Sequence, residues 1–567
     1  MKVDRAEVMN VSMGSAVAQP RVFKAITAFH ASLLGAFVSL ALGIDQLLMP
    51  GALHGEPGFN VTYDQGVYYG AALRLTMGQV PYRDFVLVHP PGIVFLLQPW
   101  AWIGRLAGTG VGLATAQMAT VLIVAINCFL VGYLVRKSGR AAALVASMAL
   151  ALWPFTVHVN ALVELEPYVL LFVLLAMVVV TSDRRGGTPK GLFFVGVLVA
   201  AACTVKVWGF YPALALTGFV IVSLRQFLWR YLAGIGTVFI LFWGPFLLAC
   251  GRPFIHDILV SQLHRKGYIG TPQTAFIERF LSISGFADIF YGATISTSTG
   301  LVLATFGAFA VGLITLFGWW RNNRTETEWC CLAVGVVTFA GMITMSAPNY
   351  TSHYAYLPAA LLAPLLGLLV ASVTRAGARA TRGERLGSVG LNVVCGGVAL
   401  TFGLVAVLGF LPTVRSVTIL ENASAFDPSA DLNASIPPGA CTLSDFPSDL
   451  IAANRYLSTH PGCPPVVDPF GMFLTEDDGN QPHVGVPEHP MPDAFGERWH
   501  GYLEGADYVV MSVPFTSYIA WTKPLVAYFK ANYTLVTSFT YPLRNGGQSV
   551  RYVYVNRSSQ YATAPTK

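Results

Sequence analysis

The chain has 567 residues, 54% of them apolar and only 11% charged, with a mean hydropathy of +0.57. Soluble domains usually carry roughly 25% charged residues, so this composition excludes an ordinary soluble globule. Together with repeated apolar runs of about 20 residues it predicts a polytopic α-helical membrane protein. The net charge of +6 does not call for a nucleic-acid partner. The basic residues sit in short clusters between apolar runs and read as topology signals.

Residues 1–24 are too long and too polar for the first region of a signal peptide, and no small-residue cleavage site follows. The first apolar run is therefore expected to stay as a helix. In chain order the expected spans are roughly 25–48, 111–135, 141–157, 167–182, 191–206, 208–224, 231–250, 298–320, 329–347, 355–373 and 388–411. The run 91–107 is left out because of the later charges. With it omitted, the clusters at Arg136/Lys137/Arg140, Arg184/Arg185/Lys190, Arg225/Arg230, Arg321/Arg324 and Arg375/Arg379/Arg382/Arg385 all fall on the side of Lys2, Arg5, Arg21 and Lys24. That is the arrangement the positive-inside rule favours.

The prediction is about eleven spans in a plasma or inner membrane, with the N-terminus cytoplasmic and the C-terminus extracytoplasmic. Segment 91–107 becomes a helix lying in the outer interface; the alternative is an ordinary span. Pro90 and Pro91 suit its start, and Trp100 and Trp102 suit the headgroup level.

On this topology the outer face holds the loops 49–110, 158–166 and 251–297 and the tail from about residue 412. The tail is more polar and Pro-rich, with β-forming stretches (GACTLSDF, ADYVVMSV, YTLVTSFTY, SVRYVYVN) and helix-spaced ones (SDLIAANRYL, YIAWTKPLVAYFKANY). A transmembrane module over 1–411 followed by an extracytoplasmic α/β domain over 412–567 is the expected division. Cys441 and Cys463 are the two cysteines of this tail. Their isolation in its one oxidising, soluble region suggests a disulfide, worth about 3 kcal/mol for a loop of this size. The cytoplasmic loops are short and hold no Gly-rich phosphate loop followed by Lys-Ser/Thr. Any chemistry is expected outside.

Three constellations could carry it. The first is YDQGVYYGAALRLTMGQVPYRDFVLVHPPG in the first outer loop, with Asp64, Tyr68, Arg83, Asp84 and His89 beside a lipid face. The plain reading is that Asp64 caps a helix stopped by Gly78 and that Asp84 caps the next one. The second is ALVELEPYVLL, where Glu164 and Glu166 meet a membrane boundary. An i, i+2 pair on a helix does not share a face, so one is expected inside and one toward water; a first-turn dipole role is the plain reading of Glu166. The third is basic: His264, Arg265 and Lys266 in the loop after the seventh span, and Lys206 at the outer end of the fifth. These cations either snorkel to headgroups or hold a phosphate. His353 and Tyr354 lie at a further outer boundary, where aromatic-belt residues are common. No cluster has zinc-site spacing.

The run Gly78, Pro81, Tyr82, Arg83, Asp84, Phe85, the following His89-Pro90-Pro91-Gly92, the Glu166-Pro167 start and SHYAYLP around His353 together resemble polytopic GT-C glycosyltransferases. The likeness is to the protein O-mannosyltransferase and aminoarabinose transferase branch, including its actinobacterial-type members, and covers most of 25–375 in layout. It implies inverting transfer of a sugar from a polyprenyl-phosphate donor to a hydroxyl of a cell-envelope glycan, lipid or protein. The first-loop acid maps to Asp64, with Asp84 in reserve, and the second-loop acid to Glu164 or Glu166. Many relatives have Asp-Glu where this chain has Asp64-Gln65. Lys206, His264, Arg265, Lys266 and Arg83 would hold the donor phosphate, and Tyr68, His89, His353 and Tyr354 the substrates. This reading names no cofactor with certainty; a divalent metal (Mg or Mn) could assist. A transporter or flippase and a non-catalytic glycan-binding envelope protein are the alternative functions.

Overall fold

The computed structural model describes residues 27–48, 62–182, 187–263, 325–345, 352–380, 428–476, 492–515, 518–542 and 548–562. The expected spans 298–320 and 388–411 lie outside them, as do His264, Arg265 and Lys266. Up to Val159 the helices are α1 (Ala28–Leu47), α2 (Tyr63–Thr76), α3 (Gly92–Leu96), α4 (Gln98–Ala107), α5 (Thr109–Leu134), α6 (Arg140–Ala151) and α7 (Pro154–Val159). They are followed by α8 (Leu165–Val180), α9 (Pro189–Val205), α10 (Phe210–Ser223), α11 (Leu228–Phe242) and α12 (Gly244–Cys250), then the long helices Glu326–Met345 and Tyr356–Ala380.

Among the described residues four helical stretches are long and apolar enough to cross a membrane: Ala28–Leu47, Thr109–Leu134, Glu326–Ile343 and His353–Ser372. Arg140–Ala151, Leu165–Val180 and Pro189–Val205 are shorter apolar helices. The segments read as separate spans at 208–224 and 231–250 form a pair bent by 110° at a break near Arg225. At ~1.5 Å per residue, α10 and α11 each rise about 21–22 Å, less than the ~30 Å of a hydrocarbon core. The apolar pattern reports their length in sequence but is blind to the angle at the break.

Segment 91–107 is not one helix. Leu97 is the junction of α3 and α4, and α4 has ten residues, about 15 Å, too short to cross. Its Ala101 and Gly104 are buried, while Trp102, Ile103 and Leu106 are exposed. Polar ties hold its inner face on α2: Tyr69 Oη donates to Trp100 O at 3.0 Å, and Arg105 donates to Thr76 O at 2.5 Å.

Within 428–562 a four-stranded sheet has the order β1 (Thr442–Ser444), β2 (Tyr508–Met511), β4 (Gln548–Asn556), β3 (Tyr533–Pro542). Strands β1 and β2 are parallel, and the other two pairs are antiparallel. Side chains alternate across a strand, and β2 uses both sides. Tyr508 and Val510 join the apolar core that continues into α2, α4 and α5, whereas Val509 and Met511 join a second core with Trp499, Trp521 and Phe529. Cys441 and Cys463 form a disulfide.

The sheet unit is tied to the starts of α2 and α5 by directed bonds. Ser448 Oγ donates to Thr62 O, Thr109 Oγ1 donates to Ile451 O at 2.6 Å, and the Gly110 amide donates to Asn454 Oδ1 at 3.1 Å.

Candidate functional site

Four chain segments converge at one end of the helices, beside the start of α2. The first turn of α2 supplies Asp64, with Tyr68 one turn on. The N-cap of α2 is Thr62, not Asp64. The acid sits in the first turn with its side chain 36% exposed, so the capping expectation is corrected and the carboxylate faces outward from the helix. The strap before α8 supplies Glu164, whose backbone is extended (φ −98°, ψ 159°), and the helix then begins with Leu165 and Glu166. Both glutamates are buried, at 2% and 0% exposure, against the expectation that one would face water. The i, i+2 rule applies inside a helix; with Glu164 at the extended cap position, the two side chains can turn to one place.

The third segment is the end of α9. Its C-cap Lys206 leaves the helix in an extended conformation, and its Nζ donates to Glu166 Oε1 at 2.5 Å. The ammonium also lies 4.0 Å from the Trp208 ring centre and 4.5 Å from that of Tyr354, a cation–π box. The fourth is the turn before the helix Tyr356–Ala380. There His353 Nε2 lies 3.9 Å from both Asp64 Oδ2 and Glu166 Oε1.

Side-chain amides hold these segments in register. Gln65 Oε1 accepts from Gln117 Nε2 on α5 at 2.9 Å and from the Val163 amide in the strap at 3.1 Å. Asn127 Nδ2, also on α5, donates to Pro167 O at 2.9 Å and to Tyr356 Oη at 3.2 Å. It thereby joins the glutamate-bearing and histidine-bearing segments. The available signal was an Asn and a Gln inside an apolar run, where a polar group needs a partner.

Electrostatically the site is under-neutralised. Three carboxylates face Lys206 and a histidine. Oε2 of Glu164 and Oε2 of Glu166 are buried with no hydrogen-bond partner among the described residues. Burial, and then the negative charges of Asp64 and Glu166, hold the Glu164 carboxyl well above its ordinary value. One ligand atom each from Asp64, Glu164 and His353 lie within 4.8 Å of one another. Two carboxylates and an imidazole fit a divalent cation, whose charge would offset the cost of ionising the buried Glu164. The nitrogen donor suits Mn²⁺ better than Mg²⁺, which prefers oxygen ligands.

Tyr68 and Tyr354 border this cluster, and His89 packs edge-on to the Tyr68 ring at 5.1 Å. Arg83 and Asp84 are elsewhere. Asp84 accepts from the Val80 amide at 2.7 Å and from Arg83 at 2.8 and 2.9 Å, closing a turn rather than capping a helix. The Arg83 guanidinium holds the Asp84 carboxyl below the usual range. This turn adjoins α12, where Cys250 Sγ donates to Pro81 O at 3.7 Å.

No family model matches the chain, and no curated protein matches it. Solved structures do. ArnT from Cupriavidus metallidurans bound to undecaprenyl phosphate matches with a TM-score of 0.51 and 15% identity, over 92% of this chain and 97% of that one. The archaeal oligosaccharyltransferase AglB from Archaeoglobus fulgidus, in complex with an inhibitory peptide and a dolichol-phosphate, matches at 0.50 and 12%, over 96% and 75%. The A. fulgidus oligosaccharyltransferase tethered with an acceptor peptide containing the NVT sequon gives 0.50 and 14%, over 94% and 74%. At these identities the likeness is one of architecture: the chain has the polytopic helical membrane fold of the GT-C glycosyltransferases.

Proposed function

We propose that the protein is a glycosyltransferase that moves a sugar from a polyprenyl-phosphate donor to an acceptor hydroxyl on the outer face of a membrane, with inversion. The observation that carries this reading is the cluster itself: the partly exposed Asp64 at the rim of a buried set of Glu164, Glu166, His353 and Lys206. Residues 1–411 form the transmembrane module and 412–567 the extracytoplasmic domain, with the N-terminus cytoplasmic. The motif resemblance and the shared fold support the same reading.

An acceptor hydroxyl is a weak nucleophile, and a positioned carboxylate that takes its proton contributes typically ~10²–10⁴-fold. Asp64 is assigned that role. The acceptor oxygen attacks the anomeric carbon, the bond to the phosphate oxygen breaks, and the acceptor proton passes to Asp64. The phosphate leaves as an anion, so it needs positive charge or donors. Lys206 is committed to Glu166 and sets the charge and position of that glutamate. The Tyr68 hydroxyl and the 264–266 basic run are assigned to the phosphate. Asp64, Glu164 and His353 would hold a divalent cation, which when bound supplies further charge to the leaving group. Asp84, closed on Arg83, is not assigned to catalysis.

The test is transfer from a panel of polyprenyl-phosphate sugars by the purified full-length protein. Asp64→Asn is expected to lower the rate at least ~100-fold with the fold intact. Full activity in that variant would refute the assignment.

A further inference from the structure

Beside Asp64, four aromatic rings form a group that the cluster chemistry does not use. Tyr63, the residue before Asp64, packs edge-on against Tyr518 at 5.1 Å, Phe446 at 5.7 Å and Phe470 at 6.4 Å, and Phe470 lies 5.5 Å from Tyr518. All four are half-buried. Tyr63 belongs to α2; the other three come from the sheet unit. The group is rigidly mounted. Tyr63 Oη donates to the buried Asp468 Oδ1 at 2.8 Å and accepts from the Phe470 amide at 2.7 Å, while Asp468 also receives the Gly471 amide at 2.8 Å.

We propose that this ring group is the acceptor subsite and that the acceptor is a saccharide. The proposal rests on the assignment of Asp64 as the base. A sugar ring has an apolar C–H face that lies on an aromatic surface, and a rim of hydroxyls that need donors and acceptors. Small-molecule sites pair apolar walls with a few placed polar groups in this way. Tyr63 and Asp64 are neighbours in the first turn of α2, so a saccharide seated on the Tyr63 group and extending past it lies beside the partly exposed Asp64 carboxylate. A lipid acceptor would call for a continuous apolar track, whereas the polar groups of Thr62, Ser448 and Asp468 interrupt the rings. The sheet unit then has a catalytic reason to be fastened to α2: it supplies three of the four rings.

The experiment is saccharide binding by the full-length protein in detergent. The probe is a panel of methyl glycosides and di- to tetrasaccharides of mannose, glucose, galactose and arabinose, read by saturation-transfer NMR on irradiation of the aromatic protons. A subset is expected to bind the wild type. Phe470→Leu and Tyr518→Leu, which keep apolar bulk but remove the ring, should weaken binding at least tenfold. A purely structural role would lower thermal stability and leave binding intact. Lack of saccharide binding by the wild type overturns the proposal, as does capture of acceptor-type peptides or lipids instead. Ring-independent binding overturns it with the transferase reading intact. Ring-dependent binding by a protein that transfers no sugar overturns the acceptor role through failure of that reading.

Discussion

Lys206 and Glu166 are the most consequential pair at the residue scale. Both are nearly inaccessible, their contact is 2.5 Å, and the second oxygen of Glu166 has no hydrogen-bond partner among the described residues. Breaking a buried ion pair from one side leaves an uncompensated charge and is worth about 3–5 kcal/mol, whereas replacing both members by apolar groups is often near neutral. Lys206→Met is therefore expected to destabilise the protein by that amount in thermal unfolding. Lys206→Met combined with Glu166→Leu should recover much of the loss while remaining inactive. Equal stability of the single variant and the wild type would remove the structural part of the pair's role. Lys206 was visible in the sequence as a cation that broke the positive-inside pattern. Its partner was not, because the two lie 40 residues apart on α8 and the end of α9.

Between elements, the contact that matters is α2 on the short helix Pro447–Ala452. Gly66 meets that helix at close approach: a Cβ there would collide with both Oγ and the amide of Ser448, the residue that donates to Thr62 O. Backbone collisions of this kind are relieved only by displacing the neighbour, typically at ~1–3 kcal/mol. Gly66→Ala is expected to loosen the sheet unit from α2, read as faster cleavage of the tail in limited proteolysis of the full-length protein. It should also lower transfer, because the rings beside Tyr63 would move with the tail. Unchanged proteolysis would mean that α2 and the tail accommodate the methyl group without separating. The helix itself was readable from its stop at Gly78, which has φ +81°. The surface that the helix presents to residue 448 has no signature in a local window.

Orientation is decided by the whole molecule. If the basic turns lie inside, Ser138→Cys, in the turn Arg136–Ser138 between α5 and α6, should resist a membrane-impermeant maleimide applied from outside. Gln560→Cys, on the exposed end of the tail, should label at once. The reverse pattern would invert the topology and with it the side on which Asp64 works. The same expectation places the Cys441–Cys463 disulfide in an oxidising compartment.

Composition and periodicity by themselves settled that this is a helical membrane chain with a polar, β-forming tail. Burial of apolar surface acts on every residue and so leaves a repeating mark. The motifs also carried Asp64, Glu164, Glu166, Lys206 and His353 as candidates, since a charge at a membrane boundary stands out against an apolar background. Only the tertiary structure separated Asp84, spent on a local turn with Arg83, from Asp64. It alone turned Glu164 and Glu166 to one side, through an extended cap that helix spacing does not describe. It also brought Asp468, Phe470 and Tyr518 to Tyr63 across some 400 positions of chain. Such contacts are set by how helices and sheet pack in three dimensions, and the pattern of neighbours along the chain holds no record of them.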